Sequence, residues 1–399
     1  HVLAMFVANI APLIIIASVA VYNGQPFSVI ETARLLQNCM LIAGIGTMLQ
    51  LYPVWKIGSG LPVVMGLSFT FLAACMTAAS QDYGVMVGAI IVGGVFEGIL
   101  GLTAKYWRKI ISPILSACVV VSIGLSILNV GVSSFGSSAK YPLGSWQNLL
   151  VAAITLAAAL IFHTTLKGVA KQLYVLLGMI VGYVVAVCFG MVDFAGMNQT
   201  IRELGVVAVP QLFAYTPKFQ MGTILSFGLG RDITDKEISG SLCVDGFASA
   251  LSGGVFGCSP ITSFSQNVGL ISMTHVVNRF TIMFGALAMI LGGLFPPIGA
   301  FFTTLPDCVL GGCTVIMFGS IMMSGIRMMQ DAGLDQRNVL IAATSLCLGV
   351  GVTQVEGFFD NLPPVFGEIF AGNMVAGVFV VGLILELCLP KDPKRYETR

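Results

Sequence analysis

The chain has 399 residues, of which 56% are hydrophobic and only 9% charged, with a formal net charge of +1 and a mean hydropathy of +0.94. A soluble domain carries about 25% charged residues, so water cannot cover this surface throughout; it must face lipid, where apolar side chains cost nothing. The near-neutral balance gives no reason to expect nucleic acid as a partner, and the 47 glycines suit close helix packing inside a bilayer.

A helix needs about 20 mostly apolar residues to cross. In chain order such stretches fall near 2–22, 33–53, 61–80, 84–104, 111–131, 147–163 and 172–192. A second series falls near 242–257, 258–275, 280–297, 305–326, 338–354 and 373–390. The chain opens inside an apolar run at His1, so its natural start is expected upstream. The ten cysteines sit mostly in apolar runs and read as small buried hydrophobes. Cys308 and Cys313 lack the spacing of a zinc site, and no metal is expected.

Basic residues test this count of thirteen, because Lys and Arg are retained on the cytoplasmic side. Lys56, the Lys105/Arg108/Lys109 group and Lys167/Lys171 follow the second, fourth and sixth spans, which places the N-terminus inside. With thirteen spans every later basic cluster, from Arg231 to Arg399, would fall outside. One further crossing between Gln211 and Arg231 brings them inside, leaving only Arg34, Lys140, Arg202 and Lys218 out. No such crossing is present: Phe219 to Leu229 is too short to span. The expectation is therefore a segment absent from this chain between about Leu225 and Gly228, with a re-entrant segment as the competing reading. Fourteen spans divide into two sevens, and an odd-numbered tandem repeat inserts in opposite orientations, giving a 7+7 inverted repeat. Both termini are then cytoplasmic and the protein is a multi-pass protein of the cell membrane.

Within that frame the third span begins at Gly60-Leu61-Pro62 and the tenth at Gly257-Cys258-Ser259-Pro260. Broken spans at matching positions free backbone groups to line a midplane site. Polar residues at this depth cost several kcal/mol unless satisfied, and they are densest around the tenth span: Ser263, Ser265, Gln266, Asn267, Ser272 and Thr274. The paired amides of Gln266 and Asn267 match the alternating donors and acceptors of a flat heterocycle; helix–helix hydrogen bonding is the plainer explanation. Asp245, early in the ninth span, reads as a carrier of a proton or cation, or as a structural cap. Glu97 reads as structural, snorkelling or paired with Lys105; Glu386 as interfacial; Asn9, Asn38 and Asn129 as helix-packing residues. No catalytic triad, HExxH motif or phosphate loop occurs, which argues against an enzyme and against ATP-driven transport by this chain alone.

The run Ser265-Gln266-Asn267-Val268-Gly269-Leu270-Ile271-Ser272-Met273-Thr274 resembles the signature of the nucleobase–ascorbate transporter family: Gln, Glu or Pro, then Asn, any residue, Gly, four of any kind, and Thr. His1-Val2-Leu3-Ala4-Met5-Phe6 is similar to the family's first-span motif, Gly44-Ile45-Gly46-Thr47 to its second span, Ser68-Phe69 to its third and Asp245-Gly246 to its ninth. The resemblance implies an all-α, fourteen-span fold with short antiparallel strands in spans 3 and 10, usually dimeric. It implies a core domain (1–104 and 219–303, spans 1–4 and 9–11, with span 8 missing) and a gate domain (105–218 and 304–399, spans 5–7 and 12–14). By the same resemblance Phe69 stacks on the base and Gln266 makes paired hydrogen bonds to its edge. Backbone N–H groups near Ser68 and Ser265 complete the grip, with Asn267 beside them; Gly269 and Thr274 are structural motif positions, and Asp245 and His1 serve proton coupling. The Gln-Asn form resembles the xanthine and uric acid permeases, whereas uracil permeases carry Glu. A carboxylate accepts two hydrogen bonds; a carboxamide accepts one and donates one.

Two departures stand out. His275 follows Thr274 where Arg, Lys or Gly is usual, and the family's eighth-span Glu has no counterpart here. The expectation is import of xanthine or uric acid by proton symport through alternating access, without a cofactor, with sodium as the alternative coupling ion. A uracil or ascorbate carrier of the same fold is the nearest rival. A sulfate-type carrier fits less well because no basic residue lies near the broken spans. From other classes the rivals are a membrane-embedded enzyme and a non-transporting membrane sensor.

Overall fold

The structure, a computed structural model, describes residues 2–55, 57–107, 111–221, 223–224, 239–264, 278–371 and 373–390. Helices α1 (Val2–Val19) and α2 (Val29–Leu51) are joined by a hairpin of β1 (Val21–Tyr22) and β2 (Gln25–Pro26). The hairpin turns on Asn23 and Gly24, both at positive φ, as a two-residue turn between twisted strands requires. Next come β3 (Met65–Leu67), α3 (Leu72–Gln81), α4 (Tyr83–Trp107), α5 (Pro113–Ser126), α6 (Leu128–Phe135) and α7 (Trp146–Thr165). A 3-10 turn (Gly168–Leu173) leads into α8 (Tyr174–Cys188) and α9 (Phe194–Leu204). The later part contains α10 (Ser239–Gly254), β4 (Ile261–Ser263), α11 (Arg279–Gly293), α12 (Pro296–Phe302), α13 (Asp307–Ala332), α14 (Gln336–Gly351), α15 (Pro364–Phe370) and α16 (Met374–Cys388).

Apart from 258–275, of which only the first part is described, the apolar stretches named from the sequence correspond to these helices, with informative differences. The 61–80 stretch stays extended through β3 and becomes helical only at Leu72, and the 258–275 stretch opens on β4. The 280–297 stretch ends at Gly293, where the chain bends by 85° into α12. Among the described residues four helical stretches are long and apolar enough to cross alone: 83–103, 113–135, 146–165 and 307–332. α2 has the length but carries Glu31, Arg34, Gln37, Asn38 and Gln50, while α8 and α16 have 15 residues each. The missing crossing expected near Leu225–Gly228 lies outside the described residues.

Two packing sets organise the bundle. α2 lies against α11 and α4 against α10; separately, α5 packs on α13, α7 on α8, and α14 on α16. The α4–α10 crossing is the tightest. A Cβ on Gly246 would run into the backbone nitrogen of Gly98, one on Gly94 would stand 2.5 Å from the Ala250 nitrogen, and one on Gly101 2.6 Å from the Cys243 nitrogen. Small residues on both helices let the backbones touch, which is how helices associate where lipid removes the hydrophobic driving force.

Residues 211–218 strap one end of the first set. Asn38 Nδ2 donates to the Gln211 and Phe256 carbonyls at 2.9 and 2.8 Å. Tyr215 stacks on Phe27 at 5.6 Å, and Lys218 pairs with Asp82 in the turn between α3 and α4 at 2.6 Å. At the far end of the second set Glu386, expected at the interface, is instead buried and ion-paired with Arg337 at 3.0 Å, with Ser112 Oγ donating to its other oxygen. An unpaired carboxylate there would cost several kcal/mol, so the three helices that carry these groups are held together.

Two outcomes follow from this packing. Gly246→Leu should cost about 3 kcal/mol, the upper end of ordinary overpacking, read as a lowered unfolding temperature in detergent. Partial burial pulls the Asp82 carboxyl upward, but the Lys218 ammonium and the Gly84 N–H outweigh it and hold it below the usual carboxylate range. Asp82 therefore binds a proton less readily folded than unfolded. The pair adds stability above the ordinary value of 3.8 and loses it as pH falls through the lower native value. Melting temperatures of wild type and Asp82→Asn should converge in that acid limb and separate above it; parallel curves would remove the pair from the stability of this strap.

Candidate functional site

The two broken spans meet in a short antiparallel ladder: Met65 faces Ser263, Gly66 faces Thr262 and Leu67 faces Ile261. The Ser68 N–H donates to the Pro260 carbonyl at 2.8 Å and the Phe264 N–H to the Val64 carbonyl at 3.0 Å, extending the pairing by a residue at either end. Both segments enter through a glycine in the left-handed region, Gly60 at φ 69° and Gly257 at φ 67°. A side chain at Gly60 would meet the Arg279 guanidinium and one at Gly257 the Tyr215 ring, so the entries are fixed by conformation and by space.

A two-stranded ladder leaves two open edges whose N–H groups need partners when buried. Side chains supply them. On the β3 edge, Thr47 Oγ1 accepts from the Met65 N–H at 3.0 Å and Asn9 Oδ1 accepts from the Leu67 N–H at 2.8 Å. On the β4 edge, Ser249 Oγ accepts from the Ile261 N–H at 3.1 Å and donates to the Ile261 carbonyl at 2.9 Å. Asn9 was expected to serve helix packing and instead holds a strand; Asn38 ties a loop, and Asn129 is exposed on α6. The signal for Asn9, Thr47 and Ser249 was available as single polar residues on otherwise apolar helices. Their targets were not, because helix spacing does not say which strand lies opposite.

Several residues expected at the site lie beside the ladder. Ser68 and Phe69 follow β3, both buried (3% and 5% exposed), and α3 begins three residues on at Leu72. The Phe69 ring meets Phe318 of α13 edge-on at 5.5 Å, so it sits between the two packing sets. Gly66 is bare because a Cβ would collide with the Phe264 ring. Toward the Gln50 end of α2 lies a polar cluster. Ser263 Oγ donates to Asp245 Oδ1 at 3.1 Å, Gln50 Nε2 donates to Ser241 Oγ at 2.8 Å and reaches Ser263 Oγ at 3.5 Å, and the two serine hydroxyls are 3.3 Å apart. Asp245 is thus joined to β4. Glu97 is buried on α4 with its backbone against Gly246. Gln50, Ser241, Ser249 and Phe318 were not picked out from the sequence. Ser265, Gln266, Asn267, Gly269, Thr274 and His275, with His1, lie outside the described residues. No group of three or more metal-ligating His, Cys, Asp or Glu occurs among the described residues.

Discontinuous spans crossing at a buried point between two helix sets define a polytopic membrane carrier of the broken-helix type. Solved structures of the same fold include the transmembrane domain of the cyanobacterial bicarbonate transporter BicA (TM-score 0.56, 13% identity, 96% of this chain and 94% of that one). SLC26A9 is another (TM-score 0.57, 10% identity, 96% and 64%). A permease-family model, Xan_ur_permease, matches residues 1–230 and 228–358. The chain is 30% identical to the xanthine permease XanQ of Escherichia coli over 98% of its length and 90% of the relative's. It is 31% identical to the uric acid permease PucJ of Bacillus subtilis, over 94% and 88%. The chain belongs to the nucleobase–ascorbate transporter family of membrane permeases.

The strand edges yield a direct test. Thr47→Val or Asn9→Leu leaves one buried N–H without a partner, at about 1–3 kcal/mol each. Both should lower the melting temperature of the purified protein, while Thr47→Ser, which keeps the acceptor, should restore most of the loss.

Proposed function

We propose that this protein imports a purine base, xanthine or uric acid, by proton symport through alternating access at the strand crossing. The observation that carries the reading is the ladder itself: β3 and β4 bring Ser68-Phe69 to one face of a buried crossing, and β4 leads directly into Ser265-Gln266-Asn267. Phe69 offers an aromatic face to a flat ring. Gln266 offers one donor and one acceptor to its edge, and the α3 amides receive partial negative charge. Xanthine and uric acid are the substrates in the names of XanQ and PucJ.

A 7+7 inverted repeat is our reading of the helix pairs: α2 on α11 matches α10 on α4, and α7 on α8 matches α14 on α16, when the halves exchange. Residues 1–104 and 219–303 then form the core and 105–218 and 304–399 the gate, with Phe69–Phe318 as a contact across their boundary. We also infer that the eighth span is absent near Leu225–Gly228. The alignment with XanQ extends over 428 positions, more than the 399 residues of this chain, and the family match divides at 228–230. Asp245 and His1 are the proposed proton carriers. The assembly proposed is a homodimer in the cell membrane with cytoplasmic termini.

Labelled xanthine offered to proteoliposomes with an imposed proton gradient tests this reading. Accumulation abolished by a protonophore is expected; uptake that follows a sodium gradient instead, or none in a protein that retains its fold, overturns it. Phe69→Ala should weaken xanthine binding about tenfold, the equivalent of ~1.4 kcal/mol of lost stacking. Gln266→Glu should weaken xanthine and shift preference toward other bases. Unchanged competition profiles across a set of bases would remove Gln266 from the site.

A further inference from the structure

We propose that Gln50 is the positioning residue of the coupling carboxylate, and that Gln50 and Ser263 hold the two protonation states of Asp245 in alternation. This rests on the reading of Asp245 as a proton carrier. The observation behind it is an imbalance in the buried cluster. Gln50 is completely buried, its Nε2 donates to Ser241 and approaches Ser263, and its Oε1 is buried with no hydrogen-bond partner among the described residues. A buried amide oxygen left without a donor costs about 1–3 kcal/mol, a cost that a donor arriving during the working cycle would remove.

Asp245 supplies such a donor when it takes up a proton. Its carboxylate now accepts from Ser263 Oγ at 3.1 Å, and the same hydroxyl lies 3.5 Å from Gln50 Nε2. The carboxylate and the amide thus share one serine. Ionised Asp245 can only accept, so Ser263 suits it; protonated Asp245 has an O–H to give, and Gln50 Oε1 suits that. The proton comes from water and returns to water, with no other bond made or broken. When Asp245 turns its O–H to Gln50, the Ser263 hydroxyl must turn from the carboxylate to Ser241 Oγ, 3.3 Å away, and Ser263 is the last residue of β4, two before Ser265. Protonation is thereby felt by the strand that leads into Gln266.

Charged and titratable groups on the packed elements set the background. Glu97 of α4 lies behind Gly246. Cys243 of α10 donates its thiol to the Gly98 carbonyl. Arg279 of α11 stands by Gly60, whose N–H is bonded to the Gln50 carbonyl. The charges of α2, Glu31 and Arg34, are at its opposite end.

The test is an infrared pH titration of the purified protein without substrate, following the protonated-carboxyl band that disappears in Asp245→Asn. Gln50→Leu removes the partner of the protonated form and should move the midpoint down by about one pH unit. Ser263→Ala removes the partner of the ionised form and should move it up by a similar amount. Gln50→Asn, keeping an amide oxygen, should recover part of the first shift. Shifts of opposite sign support the proposal, since a purely structural loss at either position gives no reason for opposite signs. Shifts of one sign, no shift, or no band lost in Asp245→Asn overturn it. The measurement needs no transport, so absent xanthine uptake with opposite shifts would fault the substrate reading alone.

Discussion

The fold depends on one constraint: backbone N–H and C=O groups that leave a helix at membrane depth must find partners other than water. Two spans break at corresponding places, and each offers the other a strand. The ladder satisfies the inner groups, and Asn9, Thr47 and Ser249 satisfy N–H groups on the two outer edges. Without those side chains the crossing would carry several unpaired amides. A continuous helix would then be the better solution, and the β3–β4 crossing would not form.

The packing around the crossing follows from the same requirement for close approach. Gly94, Gly98 and Gly101 of α4 admit α10 to backbone contact, which brings Asp245 and Ser249 to opposite ends of β4. One therefore sees a glycine-lined crossing serving a polar purpose: it sets the carboxylate within reach of Ser263 and the serine hydroxyl within reach of Ile261. The second helix set contributes Phe318 at the edge of Phe69, and its own buried charge, Glu386, is neutralised by Arg337 rather than left to the interface.

Much of this was legible in composition and pattern. The apolar stretches, the breaks at Gly60 and Gly257, the family signature after β4 and the Asp245-Gly246 pair early in the ninth span are all local features of the chain. The strand strap of Asn9 and the cluster of Gln50, Ser241 and Ser263 were not legible. Each joins residues far apart in sequence, so periodicity shows a polar residue on an apolar helix without showing its partner. The bend after Gly293 was also hidden, because Leu294-Phe295 continues the apolar run and only Pro296-Pro297 interrupts it.

By itself the sequence determined that this is a membrane protein of many spans, that two of those spans cannot be continuous helices, and which permease family it belongs to. Charge density, glycine and proline placement and a ten-residue signature are local properties that need no partner to be read. Tertiary structure alone decided which backbone edge each buried polar side chain serves and that Asp245 is bonded to the strand rather than capping a helix. It also decided that Phe69 meets the opposite helix set. These are matters of direction and distance between segments, and hydrogen bonds that act over about 3 Å are settled only when the chain is folded.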